Sequence, residues 1–162
     1  MTEQTVLAPV IRQAGEGEAR WFFGGGEMTW KVRAADSGGA FLLLEVVLEQ
    51  GKVTPLHTHP TDESWYILEG ELLMHLDGAE TRVAAGGFVL APRGVPHAFM
   101  VLSERCRVLS LQVPGNCEAF YFGASEPLEG SARQTDFDKI GQSAERNGGI
   151  TLVGPPPFGP LG

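Results

Sequence analysis

An all-β fold, sandwich or barrel, is what this sequence predicts, and three features predict it. Short strand-like runs recur at even spacing between residues 28 and 113. The breaks between them are built from Gly, Pro, Asn and Asp, the residues of tight turns. Helical periodicity is confined to the tail. Many short strands joined in this way bury one face each against a second sheet, which is the logic of sandwiches and barrels.

Residues 1–20 are polar and weakly patterned and read as an arm or edge segment. Trp21-Phe22-Phe23 then meets Gly24-Gly25-Gly26, an aromatic cluster before a turn. A glycine run can cradle phosphate where it opens a helix, but no helical pattern follows this one, so it reads as structural. Residues 28–33 alternate weakly, Asp36-Ser37-Gly38-Gly39 is a turn, and 40–48 is strongly strand-like. Further strands are expected over 52–59, 64–68, 71–76, 81–84, 88–91, 97–102 and 105–113. Asp77-Gly78, between two alternating runs, is a hairpin signal. Thr135-x-x-Asp138 has the form of a capping box, and Phe137, Ile140 and Ala144 share one helix face, so a helix is expected at about 135–147. Asn147-Gly148-Gly149 stops it, and Pro155-Pro156-Pro157 forces an extended end.

Composition narrows the function classes. A chain of 162 residues suits one domain with a buried core, and neither an internal repeat nor an interdomain linker is visible. Twelve basic residues against 20 acidic ones leave a net charge of −8, and no stretch is basic. Nucleic acid and anionic membrane partners both need clustered Lys and Arg, so neither is expected. The longest apolar run, 40–48, is interrupted by Glu45 and is far too short to span a membrane. Residues 1–9 lack the basic start and apolar core of a signal peptide, which makes the cytoplasm the expected location. Cys106 and Cys117 form no Cys-x-x-Cys pair and read as buried thiols.

The chemistry concentrates between Gly51 and Gly70. His57 and His59 are two apart, so an extended strand points both to one face. A turn at Pro60-Thr61-Asp62 lets the chain return and bring Glu63 to the same point. Two imidazoles and a carboxylate on one side of a site form the ligand set of a metal centre with open positions. A single histidine here would be explained as part of a solvated turn; the combination is not. A second stretch, from Gly86 to His97, offers a fourth candidate in His97, just after a Pro92-x-Gly94 turn. The chain has four histidines, and three fall in these two stretches. The fourth, His75, lies outside both and reads as a surface or satisfied barrel residue.

These residues resemble a known family. Gly51, His57, His59, Glu63 and Gly70 match Gly-x5-His-x-His-x3-Glu-x6-Gly. Gly86, Pro92, Gly94 and His97 match Gly-x5-Pro-x-Gly-x2-His-x3-Asn, with Val101 where Asn is usual. Fifteen residues separate the two patterns, which are the motifs of the cupin superfamily. The resemblance implies a small antiparallel jelly-roll barrel at 21–123, after the arm at 1–20. A C-terminal extension at 124–162 carries the helix and the Pro-rich end. It also implies that His57, His59, Glu63 and His97 hold one divalent ion inside the barrel. Imidazole with carboxylate suits Fe, Mn, Co, Ni, Cu or Zn, and ligand type does not choose among them.

Alternation along the strands puts Trp65 and Ile67 on the face of Glu63, and Phe99 and Val101 on the face of His97. These four are expected to form an apolar substrate pocket. With no Lys or Arg among them, they suit a neutral or aromatic small molecule. Flanking residues resemble the small cupins similar to quercetin 2,3-dioxygenase: Trp21 to Gly25, the run from Tyr66 to Glu71, Phe120 to Gly123, and a final helix leading to Val153-Gly154-Pro155-Pro156. That resemblance implies a dioxygenase that uses O₂, with Glu63 as the catalytic base, and a homodimer paired through its sheets. A non-oxidative isomerase or cyclase with the metal as Lewis acid is the alternative. A ligand-binding module is a third, disfavoured by the lack of a segment that could form a helix-turn-helix.

Overall fold

A computed structural model describes residues 6–161. Residues 1–5 of the expected arm lie outside the described residues. The first strands are β1 (Glu18–Phe22), β2 (Glu27–Val32), β3 (Leu42–Glu49), β4 (Leu56–Thr58), β5 (Asp62–Glu69) and β6 (Glu71–Leu76). They are followed by β7 (Ala79–Ala84), β8 (Phe88–Ala91), β9 (His97–Val101) and β10 (Arg105–Val113). A 3₁₀ turn at Gly115–Cys117 leads into α1 (Glu118–Gly123), then β11 (Ser125–Pro127), α2 (Phe137–Asn147) and β12 (Thr151–Gly154).

The strands form two antiparallel sheets that face each other in jelly-roll fashion. One has the order β11-β1-β2-β3-β10-β5-β8 and the other β12-β4-β9-β6-β7. The layering follows from side-chain alternation. In β10, Cys106, Val108, Ser110 and Gln112 face inward and are buried, while their neighbours are more exposed. In β9 every position is buried, as fits a central strand covered on both faces. One core cluster, including Trp65, Ile67, Leu72, Phe99 and Val108, fills the space between the sheets. A second, around Trp30, Leu42, Leu44 and Phe120, packs β2 and β3 against α1. The thiols of Cys106 and Cys117 are buried and unpaired in disulfides.

Two turns of the metal-ligand stretches are tied together. The Gly94 amide donates to the His59 carbonyl at 2.9 Å. Arg93 donates from its backbone at 2.9 Å and from its guanidinium at 2.8 and 3.1 Å to the Asp62 carboxylate. Gly70, between β5 and β6, has φ 84°. A Cβ there would run into the carbonyl oxygen of Arg105, so both the backbone angle and the space require glycine.

The structure departs from the sequence expectations in several places, among them β1, which takes residues 18–20 of the expected arm into the sheet, and β11, which pairs with it. The expected strand over 52–59 shrinks to Leu56–Thr58, because Pro55 has no amide to donate to a ladder; Val53 keeps only an isolated bridge to Met100. Residues 118–123 are helical, so helix is not confined to the tail. The final helix starts at Phe137, capped by Asp136, whose side chain accepts from the Lys139 amide, rather than at Thr135. The tail also holds β12, which pairs with β4. Among the described residues no helix is long and apolar enough to cross a membrane.

Candidate metal centre

The short strand β4 carries His57 toward the interior, and β9 lies beside it with His97 paired opposite His57. The turn after His59 delivers Glu63 at the start of β5. The ligand-competent atoms of His57, His59, Glu63 and His97 all lie within 4.8 Å of one another, and all four residues are buried. The imidazole rings are 4.4 to 5.4 Å apart, centre to centre.

Each imidazole is fixed from behind. Nδ1 of His57 lies 2.7 Å from the Pro55 carbonyl, Nδ1 of His59 2.6 Å from the Gly149 carbonyl, and Nδ1 of His97 2.9 Å from the Val95 carbonyl. A carbonyl only accepts, so each Nδ1 carries the hydrogen and each Nε2 turns inward. Glu63 is split in the same way. Its Oε1 accepts from Trp65 Nε1 at 2.8 Å and Ser110 Oγ at 3.3 Å. Its Oε2 faces the histidines, 3.2 Å from His59 Nε2 and 3.0 Å from His97 Nε2. Three inward imidazole nitrogens and one carboxylate oxygen, each anchored through its other polar atom, fit a divalent transition metal.

Electrostatics show what a cation would replace. Burial, with the His97 and His59 rings beside it, pulls the His57 pKa down to about 4. For His59 burial also opposes the charged form, but the Glu63 carboxylate and hydrogen bonds outweigh it and raise the value to about 10. Burial likewise opposes charge on Glu63, yet His59 and His97 hold it well below the ordinary carboxylate value. The cluster therefore keeps a carboxylate with positive charge against it, and a metal ion competes with that proton for the same lone pairs.

Three of the four, His57, His59 and Glu63, line an apolar cavity of about 170 Å³. Trp65 and Phe99 line it, their rings 4.5 Å apart, whereas Ile67 and Val101 are fully buried in the core cluster behind. The depth of the barrel explains the split: alternation fixes the face of a strand, and position along the strand decides whether that face meets cavity or core. His75 is partly buried and its Nδ1 makes no hydrogen bond, its nearest carboxylate oxygen, on Glu80, being 3.9 Å away.

Several residues at the site escaped sequence reasoning. Ser110 holds Glu63, and Gln112 links Thr61 to Tyr121, whose ring stacks near His59. Both are polar residues at inward positions of an alternating strand, a legible signal. Burial first, then the Glu63 charge, pushes the Tyr121 hydroxyl well above its ordinary value. Lys52 occupies an unspecified position of the first motif, and Phe137, Ile140, Gly149, Ile150 and Leu152 come from segments with no ligand motif.

A family model described as "Cupin domain" matches residues 44–112. The quercetin 2,3-dioxygenase of Bacillus subtilis is 30% identical over 122 residues, which is 75% of this chain and 36% of that protein. This chain thus spans little more than a third of that relative. The structure of KdgF from Halomonas sp. aligns with TM-score 0.60 at 19% identity, covering 66% of this chain and 94% of that one. A predicted oxalate decarboxylase from Thermotoga maritima aligns with TM-score 0.57 at 24% identity, covering 65% and 99%. These two structural likenesses bear on the fold alone.

Proposed function

This chain belongs to the cupin superfamily, and from that premise we propose that it is a metal-dependent dioxygenase acting on an enolisable aromatic small molecule. The observation that carries the reading is the divided Glu63 carboxylate. One oxygen is anchored by Trp65 and Ser110 and the other faces the histidine nitrogens at the end of an apolar cavity. The likeness to a quercetin 2,3-dioxygenase supports the substrate class.

A divalent ion held by His57, His59, Glu63 and His97 would supply Lewis acidity toward an enol or phenol oxygen. The chain's own part is clearer. Trp65 and Phe99 give an aromatic body a flat wall to lie against. Glu63, ionised in a site without bulk water, is placed to accept the enol proton at Oε2 while Oε1 stays anchored. The cavity's apolar lining excludes water from the electron-rich substrate before O₂ reaches it.

Oxygen uptake measured with flavonol and 1,3-dicarbonyl substrates on Ni-, Co-, Mn- and Fe-loaded protein tests this. Substrate-dependent uptake with at least one metal is expected. Turnover of the same substrates without O₂ consumption assigns the site to a non-oxidative isomerase or cyclase instead. Binding without turnover of either kind makes it a binding module.

A further inference from the structure

The cavity contains a cation that the metal-centred reading leaves without a role. Lys52 lines the same cavity as His57, His59 and Glu63. Its ammonium donates to the carbonyl of Gly24 and lies 6.0 Å from the centre of the Phe137 ring. No carboxylate forms an ion pair with it among the described residues, and burial alone pulls its pKa down to about 8. The cavity's acidic residue, Glu63, is committed to the histidines, Trp65 and Ser110. Its other titratable side chains are imidazoles and the Tyr121 phenol.

A half-buried ammonium satisfied by one backbone carbonyl is costly, and a wall that only had to close the cavity would be better made of Leu or Met. The surrounding turn holds it: the aliphatic stem of Lys52 lies beside Gly25, and the Gly24 carbonyl accepts from its ammonium. The backbone fixes how far it sits from the histidines. The Val101 amide donates to the Lys52 carbonyl at 2.9 Å, and His57 pairs with His97. Four residue steps along β9 therefore separate the two levels, roughly 13 Å between backbones at the rise of an extended strand. A molecule reaching both ends needs two polar groups joined by an apolar body.

We propose that Lys52 is a specificity-determining residue that receives a carboxylate of the substrate. The apolar body lies along Leu48, Trp65 and Phe99, and the enolisable end points to the histidines. The substrate class becomes an aromatic carboxylate rather than a neutral compound. The expectation of neutrality rested on Trp65, Ile67, Phe99 and Val101, none of them basic, and Lys52 stood outside that set. The orientation rests on the reading of the histidine–glutamate cluster as the reactive end; the preference for an anion does not depend on O₂ chemistry.

The test is calorimetric titration of the metal-loaded full chain with 4-phenylbutyrate and with the uncharged 4-phenylbutyramide. A charge-assisted contact in an apolar site predicts that wild type binds the carboxylate about ten-fold tighter than the amide. Lys52→Met should equalise the two ligands, and Lys52→Arg should keep the preference. Retention of the preference by Lys52→Met would place the carboxylate on the metal and overturn the proposal. Equal binding of the two ligands by wild type, or no binding of the carboxylate, overturns it as well. Oxygen uptake scores the dioxygenase reading separately. A Lys52-dependent preference without uptake rejects the dioxygenase and keeps Lys52, and uptake with a Lys52-independent preference does the reverse.

Discussion

Two regions of this molecule meet at His59. From the front, β4, β5 and β9 bring the ligand atoms together through spacing of a few residues: His57 and His59 two apart, Glu63 four further on, His97 paired across from His57. From behind, the C-terminal segment reaches the same ring across 90 residues, with the Gly149 carbonyl 2.6 Å from Nδ1. That segment also lays β12 against β4 and lines the cavity with Phe137, Ile140, Ile150 and Leu152. The front region supplies the donor atoms and anchors His57, His97 and Glu63 itself; the rear region aims His59 and shapes one side of the cavity. Metal affinity should respond to both, and both wall the cavity, Trp65 and Phe99 from the front and Phe137, Ile140, Ile150 and Leu152 from the rear.

The largest break in this division should come from Glu63→Gln, which keeps the shape of the front region and removes its charge. The amide can still accept from Trp65, so the fold should survive, as circular dichroism would show. Loss of a positioned base should lower substrate-dependent O₂ uptake by about 10²- to 10⁴-fold, and metal content measured by elemental analysis should fall with it. Uptake within a factor of a few of wild type would move the proton-accepting role to another residue.

The two regions also differ in how much of them can be read from sequence. His57, His59, Glu63 and His97 are legible because their geometry is local: a strand's alternation and one turn bring three of them together, and one ladder pair adds the fourth. Gly70 and Gly94 are legible for the same reason, since a tight turn leaves a glycine behind. Gly149 is invisible because the part that acts is a carbonyl, which every residue has. Lys52 is invisible because its burial depends on Gly24 and Phe137, which approach from opposite ends of the chain. The error over Ile67 and Val101 has the same root: their face was readable, but their depth depends on how the two sheets close.

Gly149→Ala sharpens the comparison by moving the rear region while leaving every ligand in place. Gly149 has φ 88°, and a Cβ there would lie 2.5 Å from Cβ of Phe120. Backbone strain and collision both push the carbonyl away from His59. Metal affinity, measured by competition with a chelating dye, should weaken about 10- to 100-fold, the usual effect of losing a partner behind a ligand. An unchanged affinity would mean that Glu63 alone is enough to orient His59.

The smallest effect has the opposite sign, and it separates binding from stability. Lys52 keeps its proton down from about 8 in the folded chain, against 10.5 for a lysine in water, so the folded state resists carrying the charge. Below pH 8 both states are protonated and the folded chain bears the whole cost. Between pH 8 and 10.5 the unfolded chain holds the extra proton, so stability rises with pH across that window. The gap corresponds to about 3 kcal/mol at 1.36 kcal/mol per pH unit, and the partial exposure of Lys52 lowers the expected cost to about 2 kcal/mol. Lys52→Met should therefore raise the unfolding midpoint in urea at pH 7, with the advantage over wild type shrinking as pH approaches 10. A protein that becomes more stable while losing its preference for carboxylate ligands has kept the lysine for binding, because packing would never have selected it. A destabilised variant would instead make the Gly24 contact a structural fastening of the turn, and the cavity would then owe its cation to the fold.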